Sequence, residues 1–376
     1  MSALGRIGTG LAITVAALAV GRTANYARVL RKVVPLPPEP LDQSAEVAAI
    51  IPARDEQATI GRGVAGLRAQ EHQNLRIVVV DDASADRTAE VVAAQAAQDE
   101  RVTLVRGDGP PPGWSGKVAA MAAGVRAAGD SAEWLLFMDA DGVAGPGLLG
   151  RLLAAAEEHG ADLVSSPGAA RPGAAACLLM PAATVALFEV VPPNGNNKRV
   201  LAIGQCLLLR RTAYRRIGGW AALAASTADD VDLATRVRDT GGRVLIVDAT
   251  AELSAQGHDG FGQLWRSLRK SFVVGTGSSV PLLAAGAVVS TVFGLTPPIA
   301  ALTGLLRRDR GLVAAGLLGW AAQSYGQLLF ARFARQSPAT ALLAPLSWVA
   351  LGSTLGSGLG QVLRGTASWR GRSVTR

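Results

Sequence analysis

Two cysteines in 376 residues exclude a disulfide framework, and neither Cys177 nor Cys206 has a CxxC or Cys/His spacing around it, so both read as buried thiols in a reducing compartment. Charge is scarce as well. Only 18% of residues are charged and 49% are hydrophobic, which excludes a disordered chain and an ordinary freely soluble enzyme of this length. Acidic residues are nearly absent from the flanks, which hold 3 of them against 14 basic residues, whereas residues 45–270 hold 26 acidic and 23 basic. The net charge of +8 therefore belongs to the flanks, and a nucleic-acid partner is excluded.

Three stretches lack charge altogether: residues 271–306, 311–331 and 336–363, of 36, 21 and 28 residues, each long enough to cross a bilayer. A fourth apolar run, Ile7–Gly21, has 15 residues between Arg6 and Arg22. No small-x-small cleavage pattern follows it, and Arg22, Arg28, Arg31 and Lys32 do, so an uncleaved anchor with its C-terminal side in the cytoplasm is favoured over a signal peptide. Three simple C-terminal spans would leave Arg307, Arg308, Arg310 and the basic tail outside, against the positive-inside rule. The expectation is therefore that 271–306 doubles back near Thr296-Pro297-Pro298 as a short, partly embedded pair of helices. That arrangement keeps the 307–310 loop and the C-terminus cytoplasmic.

The chain divides by composition into an anchor with a basic flank (1–32), a linker (33–44) made extended by Pro35, Pro37, Pro38 and Pro40, a globular domain (45–270) and a C-terminal helical membrane region (271–376). Within the globular domain, short β-rich runs at 47–51, 75–80, 102–105, 134–138 and 162–165 alternate with amphipathic helical runs at 60–69, 88–98, 117–128 and 147–159. Repeated strand and helix predict an α/β fold with a mostly parallel sheet covered on both faces. Ligands of such sheets bind beyond the carboxyl ends of the strands.

Those ends are acidic. Asp55 and Glu56 follow the first strand. Asp81 and Asp82 follow the second; Ser84 and Asp86 beyond them can cap the next helix, but capping does not explain two adjacent carboxylates. Asp139 and Asp141 follow the fourth strand, and alternate carboxylates there can chelate a hard divalent cation and, through it, a diphosphate. Asp229, Asp230 and Asp232 form another acidic cluster, which reads either as chemistry or as a first helical turn favoured by the helix dipole. Gly116-Lys117 is not a P-loop, because Pro111 and Val118 break that pattern. A lysine at a helix start can still contact a phosphate or a sugar hydroxyl.

These pieces resemble the family 2 glycosyltransferases of GT-A fold: IIPARDE at 50–56, VVVDDASADRT at 78–88, MDADG at 138–142, the Ile217-Gly218-Gly219-Trp220 turn and Asp229-Asp230-Val231-Asp232-Leu233, in family order over about 225 residues. The stretch Pro111–Lys117 and the trailing apolar runs resemble the hopanoid-associated and carotenoid-type membrane subgroup. The resemblance implies a Rossmann-like catalytic domain that binds a nucleotide-sugar donor through Asp55, Asp82 and Asp139, with Pro52, Arg54, Glu56, Asp81 and Lys117 as further donor-site candidates. It further implies Mg²⁺ or Mn²⁺ on Asp139 and Asp141, with His258 as a candidate third ligand or an ordinary loop histidine, and Asp230 as general base. Displacing a nucleoside diphosphate needs charge neutralised on the leaving phosphates and a proton removed from the acceptor hydroxyl.

Acceptor-side candidates are Trp114, Gln205, Asp229, Trp265 and Arg266. Four have a plainer alternative: Trp114 in packing, Gln205 in a satisfied buried network, Asp229 in the helix dipole and Arg266 against lipid headgroups. The stretch Gln263–Ser267 is similar to the QxxRW signature of processive synthases but has Ser267 where the Trp belongs, which argues against a polymerase. The reading is an inverting, metal-dependent transferase in the cell membrane. It is multi-pass, with a cytoplasmic catalytic domain, membrane lipids around it and a lipid acceptor. Transfer to a polyprenyl phosphate and an inactive scaffold of the same fold are the alternatives.

Overall fold

The computed structural model of the chain describes residues 3–40, 44–170, 173–194, 199–255, 260–366, 368–369 and 372–373. In chain order, helix α1 (Ala3–Leu30) precedes β1 (Val34–Pro35), β2 (Val47–Ala53), α2 (Ile60–Arg68), β3 (Leu75–Asp82), α3 (Thr88–Ala96) and β4 (Val102–Gly107). Then come α4 (Gly116–Ala128), β5 (Trp134–Met138), β6 (Gly142–Ala144), α5 (Leu148–Glu158), β7 (Leu163–Ser165), β8 (Ala169–Ala170) and α6 (Ala174–Val190). The sheet resumes with β9 (Cys206–Arg210), α7 (Arg211–Arg216), α8 (Asp229–Asp239), β10 (Val244–Asp248) and β11 (Leu253–Ala255). Helices α9 (Phe261–Gly275), α10 (Val280–Arg307), α11 (Arg310–Phe333) and α12 (Ala344–Leu363) follow.

Two compact units result. One, an α/β unit, holds residues 32–171 and 191–257; the other, a helical unit, holds 1–31, 172–190 and 258–376. Residues 172–190, inside the stretch expected to be one globular domain, thus cluster with the terminal helices.

The α/β unit is built on an eight-stranded sheet in the order β1-β10-β7-β9-β5-β2-β3-β4. All neighbours run parallel except β9, which is antiparallel to both β5 and β7. Strand alternation sends Val47, Ala49 and Ile51 of β2 to one face and Ala48 and Ile50 to the other, and each face carries its own buried cluster. Burial on both faces is why these strands read as continuous apolar runs. Strands β6, β11 and β8 form a second, small sheet.

The expected linker is instead part of this unit. Val34 and Pro35 pair parallel with Val247 and Asp248 at the edge of the sheet, where a proline costs no ladder bond on its open side. Leu36 is buried in the core, and Pro37 O accepts from Arg151 Nε at 2.6 Å.

In the helical unit, the segments Ile7–Leu30, Val280–Arg307 and Pro338–Leu363 are long and apolar enough to cross a membrane. Helix α11 has the length but buries Gln323, Ser324 and Gln327 and does not share that apolarity. Arg22 does not end the first apolar segment, as the sequence reading expected; α1 runs on through it.

The doubling back expected near Thr296–Pro298 does not occur. Helix α10 continues through Pro297 and Pro298, and the break in the 271–306 run lies at 276–279, where Gly277 and Ser278 take positive φ. Pro297 has no N–H for Phe293 O, its helical acceptor, but Gln323 Nε2 of α11 donates to that carbonyl at 2.7 Å. A neighbouring helix thus satisfies the group that the proline frees, and the argument for a cytoplasmic 307–310 loop loses its premise.

Candidate active site

The functional candidates of the α/β unit gather beyond the carboxyl ends of β2, β3 and β5, where a parallel sheet leaves its loops and helix N-termini together. The first two loops hold each other. Asp55 N–H donates to Ser84 Oγ at 3.0 Å, and Asp55 Oδ1 accepts from Ala85 N at 2.8 Å. Asp55 and Ala83 both lie in the left-handed region, with φ of 55° and 53°, a conformation that persists only where surroundings over-determine it. Glu56 Oε2 accepts from Thr59 Oγ1 at 2.8 Å, tying it to the start of α2. Pro52 falls past the last β2–β5 pair, Ile50 with Phe137, where a missing amide is tolerated.

Asp81 and Asp82 end β3, both nearly buried. Asp81 Oδ1 accepts from Ser84 N at 3.3 Å. Asp82 Oδ2 lies 3.6 Å from Arg54 Nη1 and so close to the start of α4 that a Cβ on Gly116 would stand 2.8 Å from it. With any other residue there the carboxylate would have to shift. Ser115 caps this helix start, its Oγ accepting from Val118 N.

One residue further along, Lys117 reaches the centre of the cluster. Its Nζ is 2.8 Å from Asp139 Oδ1 and 3.2 Å from Asp229 Oδ2. Burial opposes its charge, but the Asp139 and Asp229 carboxylates outweigh that and hold the ammonium well above the ordinary lysine range. Asp230 Oδ2 accepts from Gly204 N at 2.9 Å, and its Oδ1 from Val231 N at 2.8 Å. Burial first, and the neighbouring Asp229 second, push Asp230 up to about 6, with Lys117 pulling the other way. Asp232, the third acid of this first turn, is committed to Ser226 Oγ at 2.6 Å. The helix-dipole reading and the chemical reading thus divide among the three residues: Asp232 secures the turn, Asp229 and Asp230 face the cluster.

Asp139 N–H donates to Gln205 O, and Asp139 O accepts from Gly142 N. Beneath it Cys206 is buried, and burial together with the Asp139 charge pushes its thiol up to about 12. Gln205 Oε1 accepts from Gly168 N at 2.8 Å, so its acceptor end is bound within the fold. Trp114 is partly buried against the core on the α4 face.

Whether the site suits a divalent cation turns on its donors. Among the described residues no group of three or more His, Cys, Asp or Glu side chains is assembled that could hold a metal alone. Asp139, Asp229 and Asp230 around Lys117 nevertheless leave carboxylate charge in excess, and Asp141 follows two residues beyond Asp139, between β5 and β6. This is the donor set of a hard cation that takes one or two carboxylates from the protein and its other oxygens from phosphates and water. His258 lies outside the described residues. Trp265 and Arg266 lie on α9 in the helical unit, where Trp265 stacks on Phe261 at a ring separation of 5.6 Å and Arg266 is exposed.

Two contributors escaped the sequence reading. Gly204 supplies the N–H that fixes Asp230, and Gly116 supplies the space for Asp82. A glycine at a helix start or just before a strand was the available signal, but many glycines are so placed.

Residues 48–177 match the family model described as Glycosyl transferase family 2. No curated protein matches the chain. Among solved structures, the mannosyltransferase PcManGT from Pyrobaculum calidifontis, determined in complex with GDP-Man and Mn²⁺, aligns over 95% of this chain and 99% of its own at 20% identity and a TM-score of 0.54. S. aureus TarS 1-349 in complex with UDP-GlcNAc aligns over 81% of this chain and 90% of its own at 13% identity and a TM-score of 0.40. The α/β unit has a GT-A-like fold, and the chain carries a glycosyltransferase domain.

Proposed function

We propose that the protein is an inverting glycosyltransferase that moves a sugar from a nucleotide-sugar donor to the hydroxyl of a membrane lipid. The observation that carries the reading is the convergence of Asp82, Lys117, Asp139, Asp229 and Asp230 beyond the sheet's carboxyl edge, in a unit whose residues from 48 onward match family 2 as far as the family model extends, to 177. Asp55 and Asp82 bind the nucleoside, and Arg54 orients Asp82. Lys117, at the N-terminal turn of α4, meets the donor phosphates with its ammonium and with the amide end of the helix. Asp139 and Asp141 would hold Mg²⁺ or Mn²⁺, which neutralises charge on the departing diphosphate when bound.

Asp230 removes the proton from the acceptor hydroxyl. A carboxylate raised to about 6 is a better base than an ordinary aspartate yet still ionised at neutral pH. Gly204 N–H keeps one of its oxygens in place while the other accepts from the local backbone. A single displacement inverts the anomeric centre. The three apolar segments of the helical unit support a membrane-embedded acceptor, and a soluble nucleotide-sugar donor supports a catalytic unit on the cytoplasmic side.

Purified full-length protein in detergent, incubated with UDP- or GDP-sugars and a lipid extract, tests the reading by mass spectrometry. Metal-dependent formation of a glycolipid, lost in Asp139→Asn and Asp141→Asn, is the expected outcome. Full activity of either variant at limiting metal overturns the metal assignment.

A further inference from the structure

Arg22 stands in an apolar helix, and its charge is matched inside the helical unit. Its Nε and Nη2 donate to the two carboxylate oxygens of Glu189 at 2.8 and 2.5 Å. The guanidinium carbon lies 4.3 Å from the ring centre of Trp348 and 4.9 Å from that of Phe293. Charged groups among apolar helices point to a functional site, and here Arg22 borders a cavity of about 20 Å³, room for one water-sized group.

The cavity's lining includes Tyr26, Gln323 and Gln327. Each carries a polar atom that is buried and, among the described residues, unpartnered: Tyr26 Oη, Gln323 Oε1 and Gln327 Oε1, on residues 0%, 3% and 3% exposed. The amide orientations follow from their donor ends. Gln323 Nε2 donates to Phe293 O, and Gln327 Nε2 donates to Thr340 O at 2.8 Å and Cys177 O at 3.2 Å. Both amino groups face carbonyls, so both oxygens remain as acceptors. Buried polar atoms left unmet are costly, and native structures keep few of them.

These atoms define a guest. Two amide oxygens require a donor and repel an anion, and a phosphate exceeds the volume. The Arg22–Glu189 pair is neutral as a whole, so no net charge is sought. A water molecule can donate to both amide oxygens and accept from the Tyr26 phenol; an alcohol hydroxyl, with one proton, meets the phenol and one of the two oxygens. We propose that this cavity is a hydroxyl-binding site of the helical unit, occupied by the hydroxyl end of a membrane alcohol or by a water molecule. The site stands on these contacts alone and does not depend on the proposed sugar transfer.

The full chain in phosphatidylcholine nanodiscs tests it with two photoactivatable probes, a diazirine-bearing long-chain alcohol and its methyl ether, which cannot donate. Saturable labelling of α1, α6, α11 or α12 by the alcohol, at least tenfold above the ether and reduced about tenfold in Gln323→Leu or Gln327→Leu, supports the site and identifies a lipid source. X-ray radiolytic footprinting in ¹⁸O water reads the other source. Hydroxylation of buried Tyr26 without alcohol labelling supports the site with water as its occupant. Equal labelling by alcohol and ether on the unaltered protein, or no labelling together with an unreactive Tyr26, overturns the proposal, and neither result depends on whether the leucine variants fold.

Discussion

Lys117 Nζ lies 2.8 Å from Asp139 Oδ1, which joins the first turn of α4 to the end of β5 across the mouth of the sheet. The same ammonium reaches Asp229, and its field lowers the neighbouring Asp230. One cation thus balances the residues assigned to the donor side and those assigned to the acceptor side.

Replacing Lys117 with Met is expected to lower turnover and to change the pH profile. With the ammonium gone, its pull on Asp230 disappears while burial and Asp229 remain, so the carboxyl titrates higher. The acid limb of the rate profile should move toward neutral pH by about one unit. A limb that stays in place while turnover falls would assign Lys117 to the phosphates alone.

Asp230→Asn is expected to reduce turnover by about 10²- to 10⁴-fold while leaving donor affinity within a factor of a few. In the unaltered enzyme the base is active only when ionised, so the rate should rise through pH about 6 and level off above it. Isothermal titration with the nucleotide-sugar beside steady-state kinetics makes the comparison. Loss of donor affinity in step with turnover makes Asp230 a binding residue.

Gly116→Ala places a methyl group 2.8 Å from Asp82 Oδ2, below any ordinary carbon–oxygen contact. Asp82 must shift away, which disturbs its 3.6 Å approach to Arg54. Donor KM is expected to rise at least tenfold with a smaller effect on turnover. An unchanged KM would remove Asp82 from the donor site.

Asp99 tests the fold rather than the chemistry. Hydrogen bonds from Arg101, and then from Arg68, hold its carboxyl well below the usual range, and its side chain is only 14% exposed. A lowered carboxyl stabilises the folded state above the unfolded value near 3.8 and loses that contribution as pH falls below it. Asp99→Asn should therefore cost about 1–3 kcal/mol at neutral pH, and the difference in melting temperature should shrink below pH 4. A constant difference across that range would show that ionisation of Asp99 plays no part.

The α/β unit was largely legible because its determinants are local. Alternating apolar runs with polar stops placed β2, β3, β4, β5 and β7 and the helices between them within a few residues, and acids just beyond strand ends singled out Asp55, Asp82 and Asp139. The prolines of residues 33–44 read as a linker because a sequence does not show that β10 offers an open edge for Val34 and Pro35. Pro297-Pro298 was read as a bend because the partner that completes Phe293 O is a glutamine on another helix.

By itself the sequence determined where apolar and charged residues fall, and hence the elements, the apolar segments and the acidic strand ends; these follow from periodicity and burial over a few residues. Tertiary structure alone decided which polar and charged groups meet. Lys117 with Asp229, Gly204 with Asp230 and Arg22 with Glu189, 167 residues apart, are contacts between elements distant in the chain. Their geometry depends on packing to within an ångström, and electrostatic coupling falls off too steeply with distance for residue order alone to specify it.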